Sequence, residues 1–137
     1  VLAFATTNTA SAAAMMAWIF IEWLRGLKPS AMGACIGAVV GLVAITPAAG
    51  YVSIPASIVI GVLATGASNL ALHWKSKSTI DDTLDVFPCH GVGGMAGMVL
   101  TAVFARDGGL ITGSPTLFLK HLAALVLVSA FTFGGSW

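Results

Sequence analysis

Apolar residues fill this chain in five long stretches, each closed by a short cluster of polar, charged, glycine or proline residues. The first, residues 1–24, is interrupted by Thr6, Thr7, Asn8, Thr9 and Ser11 and closes on Glu22, Trp23 and Arg25. An aromatic and charged belt of this kind marks a membrane surface. After a turn at residues 26–29, Ser30 caps a second stretch, residues 31–46, in which Gly33, Gly37 and Gly41 recur at spacing four. These are overlapping small-xxx-small motifs on one helical face, so they predict helix packing. A third stretch, residues 54–73, leaves the apolar zone at His73, Trp74, Lys75 and Lys77. Asp81, Asp82 and Asp85 open a fourth, residues 83–105. There Asp82 is the expected N-cap, and Asp85 is placed to complement the helix dipole. The fifth, residues 116–134, carries Lys120 and His121 near its start. The pattern predicts an all-α, polytopic membrane protein with five transmembrane helices over these ranges.

Composition agrees and narrows the picture. Of 137 residues, 58% are hydrophobic and 8% charged, whereas a soluble domain carries roughly a quarter charged residues. At about 20 apolar residues per crossing, the chain has room for five spans and not for ten. A net charge of +1 with dispersed Lys and Arg offers no footprint for nucleic acid. Cys35 and Cys89 both sit in apolar stretches and read as small core residues. Cys89 beside His90 is no metal pair, because neighbours on a helix point about 100° apart. No metal, cofactor or enzymatic activity is expected. The chain lacks an initiating methionine, and residues 131–137 carry no polar tail, so it is expected to be a fragment. Arg25, Lys28, Lys75 and Lys77 lie after the first and third stretches, while the loop after the second has no basic residue and that after the fourth only Arg106. That alternation predicts a multi-pass cell-membrane protein with the N-terminus of this chain outside and its C-terminus cytoplasmic.

The chemistry concentrates in residues 81–94. His90 lies five residues beyond Asp85, about 7 Å deeper along a helix, and an ionisable group at that depth faces a bundle interior or a substrate path. Two readings stand at this point. The imidazole is either satisfied by a neighbouring backbone carbonyl, or it is a ligand for something that passes. A neutral imidazole offers one donor and one acceptor nitrogen, which suits a small neutral polar molecule better than a bare alkali ion. Pro88 removes a backbone donor in the opening turn. Asn8 needs partners in a span and is expected to bond across helices rather than line a path. Trp18, Trp23 and Trp74 read as membrane packing or interfacial anchors, His73 and His121 as interfacial residues, and Asp81 with Asp82 as solvated caps.

The run Asp85-Val86-Phe87-Pro88-Cys89-His90-Gly91-Val92-Gly93-Gly94 resembles the Asp-x-Phe-x-x-His-Gly-x-x-Gly signature of the ammonium transporter family, which includes the Rh glycoproteins. Thr7-Asn8-Thr9 leading to Ile21-Glu22-Trp23, Lys28-Pro29-Ser30 with Gly33-Ala34-Cys35, and the run from Gly41 to Gly50 are similar to the same family, in order. The resemblance implies an eleven-helix fold built of two inverted five-helix halves plus a last helix packed outside, of which this chain is similar to helices seven to eleven. It further implies that ammonium is gathered outside, loses its proton and crosses a hydrophobic pore as ammonia. His90 is then similar to the second of a pair of pore histidines, as ligand and proton-relay element, and its partner has no counterpart here. Asp85, with Asp82, becomes a structural residue at the cytoplasmic mouth, and Val86 and Phe87 become candidates for the inner pore lining. The implied partners are ammonium or ammonia as substrate, the lipid bilayer, copies of the protein in a homotrimer and a PII-type cytosolic regulator. The alternative is an ammonium-sensing membrane unit coupled to a cytoplasmic signalling domain. With half of the implied pore missing, the chain by itself is expected to transport nothing specifically.

Overall fold

The computed structural model describes residues 1–113 and 115–136; Ser114 and Trp137 lie outside them. The described residues form α1 (Leu2–Leu24), α2 (Ala31–Ile45), α3 (Ile54–Lys75), a π-helical turn (Phe87–Val92) that runs directly into α4 (Gly93–Phe104), and α5 (Pro115–Gly135). Four segments are long and apolar enough to cross a membrane: α1, α3, Phe87–Phe104 and α5. All five predicted helices are present, and α2, with 15 residues, is shorter than the usual span of about 20. Pro47 explains its end, since it has no N–H for the carbonyl four residues back. Tighter turns follow, with Ala48 N donating to Ile45 O at 2.8 Å and Tyr51 N to Ala48 O at 2.9 Å.

The turn between α1 and α2 is closed on both sides. Gly26 adopts φ +72°, Gly26 N donates to Trp23 O and Leu27 N to Glu22 O, each at 3.0 Å. This is the paired arrangement that satisfies the last carbonyls of a helix through a left-handed residue. Ser30 Oγ accepts from Gly33 N at 2.8 Å, while the Glu22 carboxylate accepts from Ser30 N at 3.0 Å and from Ser30 Oγ at 3.2 Å. Glu22 therefore ties the end of α1 to the start of α2.

Packing runs along a seam of small residues. Thr6, Ala10, Ala14 and Trp18, four apart on α1, are buried. They oppose the glycine face of α2: a Cβ at Gly41 would lie 2.6 Å from both Ala10 O and Ala14 Cβ, and one at Gly37 would lie 2.6 Å from Trp18 Cβ. On the other side, a Cβ at Gly61 of α3 would stand 2.5 Å from Ala10 O. Gly97 brings α4 against the backbone of Ala44 on α2 in the same way. Backbones this close allow cross-helix hydrogen bonds, from Ser11 Oγ to Ala38 O at 3.1 Å and from Thr65 Oγ1 to Ala14 O at 3.3 Å. Trp18 is thus a core residue at 2% exposure, whereas Trp23 and Trp74 are exposed.

Two expectations about single residues are overturned. Asn8 does not bond across helices: its Nδ2 donates to Phe4 O of its own helix at 2.9 Å, because the neighbouring carbonyls in reach are those one turn back. Cys35 is exposed rather than core, while Cys89 is buried. Cys35 sits off the Gly33, Gly37, Gly41 face that meets α1. α5 has no buried residue and lies beside α4.

Leucine at Gly41 would have to displace backbone, so the apparent melting temperature of the complete protein in detergent is expected to fall by more than about 5 °C. Leucine at Gly66, where a Cβ would meet nothing within 4 Å, is expected to shift it by less than about 1 °C. Circular dichroism melting curves of the two variants check this.

Candidate functional site

The segment that carries His90 begins later than its acidic composition predicts. Residues 83 and 84 form a turn, and the first helical residue is Val86. The Asp82 carboxylate performs the capping, accepting from Val86 N at 2.9 Å and Phe87 N at 2.8 Å. Asp85 bonds no helix N–H through its side chain among the described residues. Its Oδ1 lies 2.6 Å from Lys75 Nζ at the end of α3, and its backbone takes φ +53°, a left-handed conformation that only glycine, Asn and Asp visit routinely. Lys75 Nζ also donates to Asp82 O. The acidic turn is therefore folded onto α3.

Pro88 occupies the first turn, where a missing N–H costs no helical bond. From Phe87 to Val92 the backbone widens into the π-helical turn, a form that is rare and frequent at functional sites. Phe87 lies over Gly91, where a Cβ would come 3.0 Å from its ring. Gly93 faces α3 and α2, with Ser68 Oγ 3.3 Å from where its Cβ would be. Ser68 Oγ and Asn69 Oδ1 are buried with no hydrogen-bond partner among the described residues.

His90 points away from the buried Cys89 and is exposed. It stands on the wall of an open-sided cavity of about 970 Å³ shared with Val43, Thr46 and Pro47, with Phe87, Gly94 and Met95, and with Leu125, Ser129 and Thr132 of α5. Neither ring nitrogen has a hydrogen-bond partner among the described residues. No backbone carbonyl among the described residues satisfies the His90 ring. Of the predicted site residues, the structure brings Phe87 to the same wall. Val86 and Asp82 line a neighbouring cavity of about 600 Å³ with Trp74 and Phe87, and Asp85 lines neither. The polar row of Ser129 and Thr132 on α5 with Ser136 just beyond its end, which also reaches the His90 cavity, was missed. Its spacing of three and four was the available signal. Lys75 was missed as a structural partner because its position at a helix end reads equally well as an interfacial charge.

The Ammonium Transporter Family model matches residues 1–137. The chain belongs to the ammonium transporter family. It is 41% identical to an ammonium transporter of Bacillus subtilis over 96% of this chain and 34% of that protein. To ammonium transporter Amt1 of Archaeoglobus fulgidus it is 39% identical, over 96% of this chain and 34% of the relative. The crystal structure of Candida albicans Mep2 superposes with a TM-score of 0.92 at 36% identity, covering 97% of this chain and 32% of that chain. The chain thus spans about a third of the length of the relatives it matches. The helical membrane fold expected from the pattern is the fold of this family's solved members.

The N–H of Phe87, and then that of Val86, holds the Asp82 carboxyl below the ordinary carboxylate range, with the Lys75 charge adding to them and desolvation opposing. A folded value below the unfolded one means that the cap stabilises above the ordinary range and is lost as pH falls through the folded value. The complete protein is therefore expected to melt about 2 °C above an Asp82→Asn variant between pH 5 and 8. That gap should close below about pH 4 as the carboxylate protonates. Melting curves of both proteins across pH test it.

Proposed function

We propose that the chain forms part of a pathway that carries ammonium across a membrane as ammonia, with His90 as a ligand on the path. The observation that carries this reading is an imidazole without a hydrogen-bond partner among the described residues, on the wall of an otherwise mostly apolar cavity. A polar group in such surroundings without a hydrogen bond is costly, and a passing molecule that can donate and accept supplies the bond. Ammonia does both. Phe87, Met95 and Leu125 offer no ligand for a charge, and an ion without compensating ligands is costly to move through such walls. Ammonium can leave its proton behind; potassium has none to leave. Family membership, with relatives named as ammonium transporters at about 40% identity, supports the same substrate.

The loop charges support an orientation in which the ends of α1 and α3, with Arg25, Lys28, Lys75 and Lys77, face the cytoplasm. On that reading Asp82 and Asp85 stand at the cytoplasmic end of the path. Uptake of methylammonium by cells expressing the complete protein tests the ligand role. His90→Ala is expected to lower the rate about tenfold through the lost hydrogen bond, and His90→Glu to admit potassium by placing a carboxylate in the apolar wall. Unchanged rate and selectivity in both variants would refute the assignment. For the orientation, a cysteine introduced at Ser76 is expected to react with an impermeant maleimide only in inside-out vesicles. Labelling in intact cells would reverse the orientation.

A further inference from the structure

We infer that Lys75 is a positioning residue for His90, acting through Asp85 and Asp82 to hold the π-helical turn in place. Eleven residues, 76–86, connect α3 to that turn without a helix of their own beyond its first residue. Something must therefore set where the turn begins. Six contacts converge there. Lys75 Nζ meets Asp85 Oδ1 at 2.6 Å and the Asp82 carbonyl. The Asp82 carboxylate takes the N–H groups of Val86 and Phe87. Cys89 N donates to Asp85 O at 3.1 Å. Asp85 N donates to Asp82 O at 3.1 Å. One ammonium group thus holds both residues to which the first amides of the turn are bonded.

The lysine is built for this rather than for solvent. A lysine at a membrane face ordinarily extends its charge into water, but the Lys75 side chain is only 14% exposed and is turned inward on the acidic loop. Asp85 also holds a left-handed backbone, φ +53°, which a partner must maintain in a residue with a Cβ. Releasing Lys75 frees Asp85 and the Asp82 carbonyl together, so the turn that aims His90 loses its anchor on α3.

Hydrogen exchange of the amides of residues 86–92 in the complete protein tests the inference without reference to transport. Lys75→Met and Asp85→Asn are each expected to speed exchange about fivefold, the double variant no further than either single one, and Lys75→Arg less than twofold. Asp85→Gly, which favours the left-handed backbone but lacks the charge, is expected to behave as Asp85→Asn. Unchanged exchange in the single variants, or effects that add in the double variant, would overturn the inference. The transport consequence rests on the role proposed for His90. Lys75→Met is expected to lower the ratio of ammonium to potassium uptake at equal surface expression, and to have no such effect in a His90→Ala background. An unchanged ratio in Lys75→Met where His90→Ala does alter uptake also overturns it. If His90→Ala leaves uptake unaltered, the function proposed above falls, and the exchange measurement alone decides the part of Lys75.

Discussion

Helices in lipid gain little from burying apolar surface against one another, because the surrounding chains are as apolar as leucine. What holds them is close approach, and in this protein close approach is a matter of what is absent from α2. Gly37 and Gly41 leave room for the backbone of α1 at Ala10 and Ala14, and Gly61 lets α3 reach the same Ala10 from another side. At such distances dispersion contacts are numerous, and the hydroxyls of Ser11 and Thr65 reach carbonyls on the neighbouring helix. The three helices become one rigid body through these few positions.

The site is hung on that body from two points. Gly97 seats α4 on Ala44, which fixes the far end of the segment that carries His90. The acidic turn, tied by Lys75 to the end of α3, fixes the near end. Between them the backbone widens for one turn, and the result is a buried Cys89 next to an exposed His90. Division of labour between neighbours follows: one side chain packs the turn while the next faces the open cavity. Polar groups in an apolar environment are normally satisfied by the protein itself, so an imidazole with no partner among the described residues is the feature on which the proposed ligand role rests.

Much of this was legible in the order of residues. Apolar runs of the right length located the helices, and Gly33, Gly37 and Gly41 at spacing four identified the packing face. His90 stood out as the ionisable residue far from either belt, and Asp82 as a cap. The errors have local causes. Asn8, in an apolar helix, was read as reaching across, but a carbonyl one turn back competes at no cost in ordering a second helix. Cys35 was taken as core because its stretch is apolar, and in lipid an apolar residue need not be buried to be at ease. Asp85 was read from the helix end alone, whereas a lysine ten residues earlier in the chain is its ion-pair partner.

What depends on residue type and short spacing could be read from the order of residues alone: a membrane solvent, helices and their packing face. Charge, size and periodicity act over one or two turns, so they can be read along a line. Tertiary structure decided which polar groups find partners. That α3 returns to meet the acidic turn, that the turn opens into a π-helix, and that Ser129 and Thr132 of α5 share a wall with His90 are consequences of where helix ends meet in space. The pairing of a charge with its nearest opposite, or the absence of any partner for a ring, is set by distances across the fold, and no spacing along the chain encodes them.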